Sequence, residues 1–224
     1  DTLWHTEKYY REAEKTFTDL VSAYGISTEE ILQTMHKIEI DNLAYFGYGI
    51  RGFILSMIET AIQVTGEKVH AADIQAIVEL GRGMTGHEIC LLDGVVEALE
   101  HFKDRQLILI TKGDVLDQES KVKRSGLAGY FRHVEVVVDK TREHYADILR
   151  KHNVSPECFL MVGNALRSDI APVLSLGGYA VHVPYPLSWA HEAEVDLPSD
   201  QSRFFEIPSL YELAGVVKQI ELTV

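Results

Sequence analysis

Between residues 4 and 24, apolar or aromatic side chains recur at Tyr9, Tyr10, Ala13, Phe17, Leu20, Val21 and Tyr24. The spacing is near 3.6 residues and Gly25 closes the run, so the pattern predicts a helix. Ser27 and Glu30 stand as a capping box ahead of Ile31, Leu32, Met35 and Ile38, the start of a second helix. Two further helical runs are expected at 50–64 and 70–80. From Leu91 onward the pattern shortens. LILIT (107–111), HVEVVV (133–138), CFLMVG (158–163), YAVHVP (179–184) and RFFEI (203–207) alternate with amphipathic segments beginning near Asp93, Asp114, Thr141, Arg167 and Ser209. Strands alternating with helices predict a parallel sheet covered on both faces. An all-helical module followed by an α/β module is therefore expected, with one loose, Pro-containing acidic stretch at 185–202.

Composition narrows the partners. A chain of 224 residues with 46% hydrophobic and 25% charged residues can bury a full core, as one large domain or one carrying an insertion. No apolar run approaches the roughly 18 residues of a membrane span. The formal net charge of -13 opposes approach to nucleic acid or an anionic membrane, and leaves small anions at a locally positive pocket. Cys90 and Cys158 are far apart and outside any CxxC pair, and are expected to be buried free thiols of a reducing cytoplasm. No signal segment is visible.

Some suggestive patterns lose on context. GRGMTG at 81–86 satisfies GxGxxG, but a helical run, AADIQAIVEL, precedes it where a dinucleotide site needs a strand, and a hinge between the modules is the expected role. The ten histidines include no HExxH or HxH pair. His182 on a strand and His191 in the following loop are accordingly expected to be structural or surface residues. Tyr45, Phe46, Tyr48 and Phe53 are expected in a core, although the glycine-rich YFGYGIRGF segment with Arg51 would suit a substrate-facing loop.

The strand ends carry the chemistry, because open parallel sheets bind ligands at their carboxyl edge. LILIT runs into Thr111, Lys112, Gly113 and Asp114: a hydroxyl, then a glycine that lets backbone amides turn inward, then a helix cap. HVEVVVD ends at Asp139 and Lys140, before Thr141. CFLMVGNALRSD places Asn164 just past a strand and Asp169 near the start of the next helix, which Pro172 opens and Gly177 and Gly178 close. Thr111, Lys140 and Asp169 thus arrive on successive strand tips, a set able to hold a phosphate oxygen, neutralise charge and anchor Mg²⁺. A nucleophile is lacking.

Those residues, in that order, resemble the haloacid dehalogenase superfamily, most of whose members are Mg²⁺-dependent phosphatases. Its motifs are DxDxT, then Ser or Thr after an apolar strand, then Lys, then a cluster of the form GDxxxxD. They are matched by LILIT with Thr111, DK with Lys140, and GNALRSD with Asn164 and Asp169. Asn164 departs from the acidic residue of that pattern. The resemblance implies a Rossmann-like parallel sheet core, 1–8 and 89–224, with an inserted helical cap at 9–88. It also gives the opening DTLW a meaning, with Asp1 and Thr2 as the last two positions of DxDxT. The nucleophile and the second Asp, on a strand filling the centre of the sheet, are then expected ahead of residue 1.

The implied activity is hydrolysis of a small phosphorylated metabolite through an aspartyl-phosphate. Thr111, Lys112 and Gly113 would hold the phosphoryl group and Lys140 would offset anionic repulsion. Asp169, with Asn164 acting through water, would hold Mg²⁺. Arg51 in the closing cap would contact the leaving group. The same resemblance leaves open a 2-haloacid dehalogenase, which needs no metal and usually lacks the second Asp of DxD, and a non-catalytic phosphate-binding member of the fold. Neither the leaving group nor the oligomeric state is encoded legibly.

Overall fold

The structure, a computed structural model, describes residues 1–187, 189, 192 and 195–222. His191 lies outside the described residues, as do parts of the loose stretch at 185–202. By contacts the chain divides into a helical unit, Lys8–Glu88 with Lys112–Ser120, and an α/β unit comprising Asp1–Glu7, Ile89–Thr111 and the chain from Lys121 onward.

The helical unit is built from α1 (Glu7–Ser22), α2 (Thr28–Phe46), α3 (Ile50–Val64) and α4 (Ala71–Gly86). Their apolar stripes bury Phe17, Val21, Ile31, Met35, Phe53, Met57 and Ile77 in one core. Each large side chain removed from water contributes about 1.5–3 kcal/mol, which is what holds helices of ordinary propensity in place. Gly25 (φ 81) ends the turn after α1. Ser27 Oγ accepts from Glu30 N at 3.2 Å, the serine half of the expected capping box. Between α2 and α3 the YFGYGIRGF segment reverses direction, and Gly47 N donates to Leu43 O at 3.0 Å. Phe53 is buried there, but Tyr45 is 81% exposed.

The expected hinge at GRGMTG is corrected. These residues are the last turns of α4, and a Cβ on Gly81 would fall 2.7 Å from Ile54 Cγ1. The glycine permits close packing of α4 on α3, and its backbone is helical.

In the α/β unit the strands are β1 (Ile108–Lys112), β2 (His133–Val137), β3 (Leu160–Gly163), β4 (Tyr179–His182) and β5 (Phe204–Glu206). They alternate with α5 (Val95–His101), α6 (Val115–Arg124), whose first six residues the contacts assign to the helical unit, α7 (Arg142–Lys151), α8 (Ala171–Ser175) and α9 (Leu213–Glu221), the Rossmann-like α/β arrangement expected. β1 pairs with β2, and β3, β4 and β5 form a second, parallel sheet. Arg132 N donates to Leu107 O at 2.9 Å, so β1 and β2 start side by side. In the second sheet Gly163 is level with His182, and His182 with Glu206. One apolar cluster includes Trp4, Val95, Leu99, Val181 and Leu213, and another gathers Ile110, Tyr145, Ile148, Met161 and Val173. Near the start of the chain Trp4 bridges antiparallel to Leu91, with His5 N donating to Cys90 O at 2.9 Å and Leu92 N to Leu3 O at 3.0 Å.

The expected burial of both cysteines is also corrected: Cys90 is half-buried and Cys158 exposed, both as free thiols. Cys158 closes a short 3₁₀ turn, Pro156–Cys158, ahead of β3, so it never enters the strand. No helix among the described residues is long and apolar enough to cross a membrane.

Candidate active site

Lys140 is placed by the short link between β2 and α7. Thr141 caps α7, its Oγ1 accepting from His144 N at 3.3 Å, and Lys140 N donates to Asp139 Oδ1 at 2.8 Å. The lysine side chain points inward, and Nζ lies 2.6 Å from Asp169 Oδ1.

Asp169 is held from below. The chain leaving β3 turns through a wide π-helical segment, Leu166–Ile170, of a kind enriched at functional sites. Asp169 Oδ2 accepts from Ala165 N at 3.1 Å, and Asp169 N donates to Ala165 O at 2.8 Å. A Cβ on Gly163 would overlap the Asp169 carboxyl carbon, so glycine at the end of β3 is what makes room for the carboxylate. Tyr145 OH donates to Ser168 O at 3.1 Å, and Ser168 Oγ donates to the Glu192 carboxylate. Burial alone would raise the Asp169 pKa. The charge and hydrogen bond of Lys140, together with the Ala165 N–H, outweigh it and hold the carboxyl below the ordinary 3.8. Burial, then the charges of Asp169, Glu192 and Asp139, push the Tyr145 phenol well above its ordinary value, so it remains a neutral donor.

Asn164 joins this turn to the start of the chain. Its Oδ1 accepts from Thr2 Oγ1 at 3.2 Å and lies 3.2 Å from Asp1 N. The Asp1 carboxylate faces the other way: its Oδ1 accepts from Thr6 N at 2.5 Å and from Glu7 N at 3.0 Å, at the start of α1. Of the residues singled out from sequence, Thr2 and Asn164 form one contact and Lys140 and Asp169 another. The Asn164–Asp169 turn carries one member of each pair. Thr111 stands half-buried near the end of β1. Lys112, Gly113 and Arg51 belong to the helical unit. There Lys112 Nζ lies 3.8 Å from the centre of the Tyr48 ring, and Arg51 Nη1 lies 2.6 Å from Asp114 Oδ2. Gly113 takes φ 133, and Asp114 Oδ1 accepts from Asp117 N at 3.0 Å to start α6.

The profile of haloacid dehalogenase-like hydrolases matches residues 1–177. Over all of the chain and 89% of its own length, a haloacid dehalogenase-like family hydrolase from Xanthomonas campestris is 39% identical, with a TM-score of 0.89. The chain is a haloacid dehalogenase-like hydrolase. Two more distant solved structures share the fold. One is a 2-haloacid dehalogenase from Pseudomonas syringae, 20% identical over 98% of this chain and 95% of that one, TM-score 0.64. The other is a phosphatase from Thermococcus onnurineus, 18% identical over 97% and 94%, TM-score 0.61. No curated protein matches the chain.

In this haloacid dehalogenase-like hydrolase the oxygens near Lys140 are hard donors, the kind Mg²⁺ takes. Among the described residues no three His, Cys, Asp or Glu side chains are grouped to hold a metal. The chain offers Asp169 and Asn164, and Asp169 is shared with Lys140. Their oxygens are of the type Mg²⁺ takes, and each also accepts from a protein donor.

Sequence reasoning read His182 as structural or surface and did not single out Glu192. His182 Nε2 lies 3.1 Å from Asn164 O and its Nδ1 2.8 Å from Glu206 Oε2. Its position on a strand end level with the GN turn was the available signal, but it becomes visible only once the strand order is known.

Proposed function

We propose that this hydrolase is a Mg²⁺-dependent phosphatase that acts on a small phosphate monoester in the cytoplasm. The observation that carries the reading is the largely buried Lys140 side chain, held by Asp169 beside the Asn164 turn at the carboxyl ends of the strands. A fixed cation there suits a dianionic group meeting a carboxylate nucleophile, two species that an acidic protein would otherwise keep apart.

The reacting carboxylates belong, in this proposal, to chain ahead of Asp1, whose Asp1–Thr2 segment Asn164 fastens in place. The first carboxylate attacks phosphorus as the P–O bond to the alcohol breaks. The second gives its proton to the leaving oxygen, then takes one from the water that cleaves the phosphoryl-aspartate and releases phosphate. Lys140 neutralises charge during both displacements. The Thr111 hydroxyl and the N–H groups of Lys112 and Gly113 bind phosphoryl oxygens, while Arg51 on the helical unit, read as a cap, contacts the leaving group. Asp169 and Asn164 would hold Mg²⁺, which supplies further positive charge to the phosphoryl oxygens.

The second reading is a 2-haloacid dehalogenase. In its favour, both Asp169 oxygens and the Asn164 oxygen are already engaged by protein donors. A screen of phosphorylated metabolites and 2-haloacids, with Mg²⁺ and with EDTA, separates the two. Phosphate release that EDTA abolishes and Mg²⁺ restores is the expected result; halide release indifferent to EDTA would replace it with the dehalogenase.

A further inference from the structure

We propose that His182 and Glu206 form a positioning pair for the Asn164 turn, and through Asn164 for the Asp1–Thr2 segment. The parallel register sets Gly163, His182 and Glu206 in one row across β3, β4 and β5. Neighbouring residues in register share a face of the sheet, so His182 reaches both of its flanking strands from the middle one. Its ring is buried, with Nε2 3.1 Å from Asn164 O and Nδ1 2.8 Å from Glu206 Oε2. A carbonyl oxygen only accepts, so Nε2 carries a hydrogen and donates it. Glu206, anchored next to Ile207 N, which donates to His182 O at 3.0 Å, fixes the rotation of the ring.

The Asn164 carbonyl thus becomes the outer end of a chain of contacts. On its inner side Asn164 Oδ1 receives the Thr2 hydroxyl at 3.2 Å. A buried imidazole needs partners for its ring nitrogens, and the partner that Nε2 takes here is the backbone of the Asn164 turn. His182 touches no reacting atom in this arrangement; its effect passes through Asn164 to Thr2.

The inference rests on the reading that the reacting carboxylates immediately precede the Asp1–Thr2 segment, so its first test does not use turnover. In the full-length protein, amide hydrogen exchange at Thr2 and Asn164 is compared among wild type, His182→Ala, His182→Gln and Glu206→Ala. Exchange at both positions rises at least about tenfold in His182→Ala, and measurably in Glu206→Ala. It stays unchanged in α7. His182→Gln, which retains an N–H donor, returns it towards wild type. Glu206 is largely exposed, so Glu206→Ala keeps the fold even if His182→Ala does not. Wild-type exchange at Thr2 and Asn164 in Glu206→Ala, or an increase spread evenly over the sheet, overturns the proposal. On whichever substrate is turned over, Glu206→Ala lowers kcat severalfold with KM within about twofold; equal losses in both would also overturn it. A Lys140→Ala variant run alongside keeps the two readings apart, because full turnover in that variant removes the proposed chemistry whatever His182 does.

Discussion

Lys140 and Asp169 form an ion pair 2.6 Å long whose side chains are only 12% and 4% exposed. They come from the turns after β2 and β3, so the contact ties together two strand ends. Taking away one partner leaves an uncompensated charge in a largely buried position, a loss of about 3–5 kcal/mol. Lys140→Met is expected to lose that much in urea denaturation. Lys140→Met with Asp169→Leu is expected to recover most of it while remaining inactive. Equal stability of wild type and Lys140→Met would show the pair to be solvated.

The same pair sets an acid limit. Asp169 is held below the ordinary 3.8, so its contribution to stability is complete above that value and is lost as pH falls through the folded-state pKa. Thermal melts of wild type and Asp169→Asn should therefore differ by a constant amount from neutrality down to about pH 4, and converge below it. A difference that grows on acidification has the wrong sign.

Gly163→Ala puts a methyl group where the Asp169 carboxyl sits. Overpacking of this sort costs about 1–3 kcal/mol, and here it displaces the partner of Lys140 as well. Turnover is expected to fall at least a hundredfold while the fold survives in circular dichroism.

In the helical unit two glycines two positions apart should respond with opposite signs. Gly81→Ala meets Ile54 and is expected to destabilise by about 1–3 kcal/mol. At Gly83 nothing lies within 4 Å, so Ala there is expected to stabilise the helix by about 0.5–1 kcal/mol. Paired chemical denaturation curves check both.

Arg51 is 67% exposed and bound to Asp114. Such pairs contribute about 0–1 kcal/mol, so Arg51→Gln should leave the melting temperature nearly unchanged. If Arg51 contacts the leaving group, KM rises at least about tenfold; an unchanged KM removes it from the site.

The helices were legible because their cores repeat every turn: α3 runs from Ile50 to Val64, the span its apolar positions predict. Lys140 and Asp169 could be singled out for standing where strands end. Their pairing could not, since it depends on how far two separate turns reach. Other misreadings share that cause. Gly81 looked like a source of freedom because Ile54, which needs the space, is distant in sequence. His182, expected to be structural or surface, is a buried, hydrogen-bonded strand residue; only its partners, Asn164 and Glu206, stayed hidden, because they come from the flanking strands. Cys158 lies in an apolar stretch whose first residues are a turn, and periodicity over so few positions does not distinguish the two.

The backbone bonds joining Leu3 and His5 to Leu92 and Cys90 bring the exit and return of the inserted chain within a single residue pair. To the α/β unit, everything from Lys8 to Glu88 is then a loop whose ends already meet. The entropy of closing such a loop grows only with the logarithm of its length, about 0.6 kcal/mol for each doubling. The insertion point therefore behaves as a socket: a longer, shorter or differently folded module could occupy it at little cost to the α/β unit, leaving Lys140 and Asp169 undisturbed while the inserted chain is exchanged.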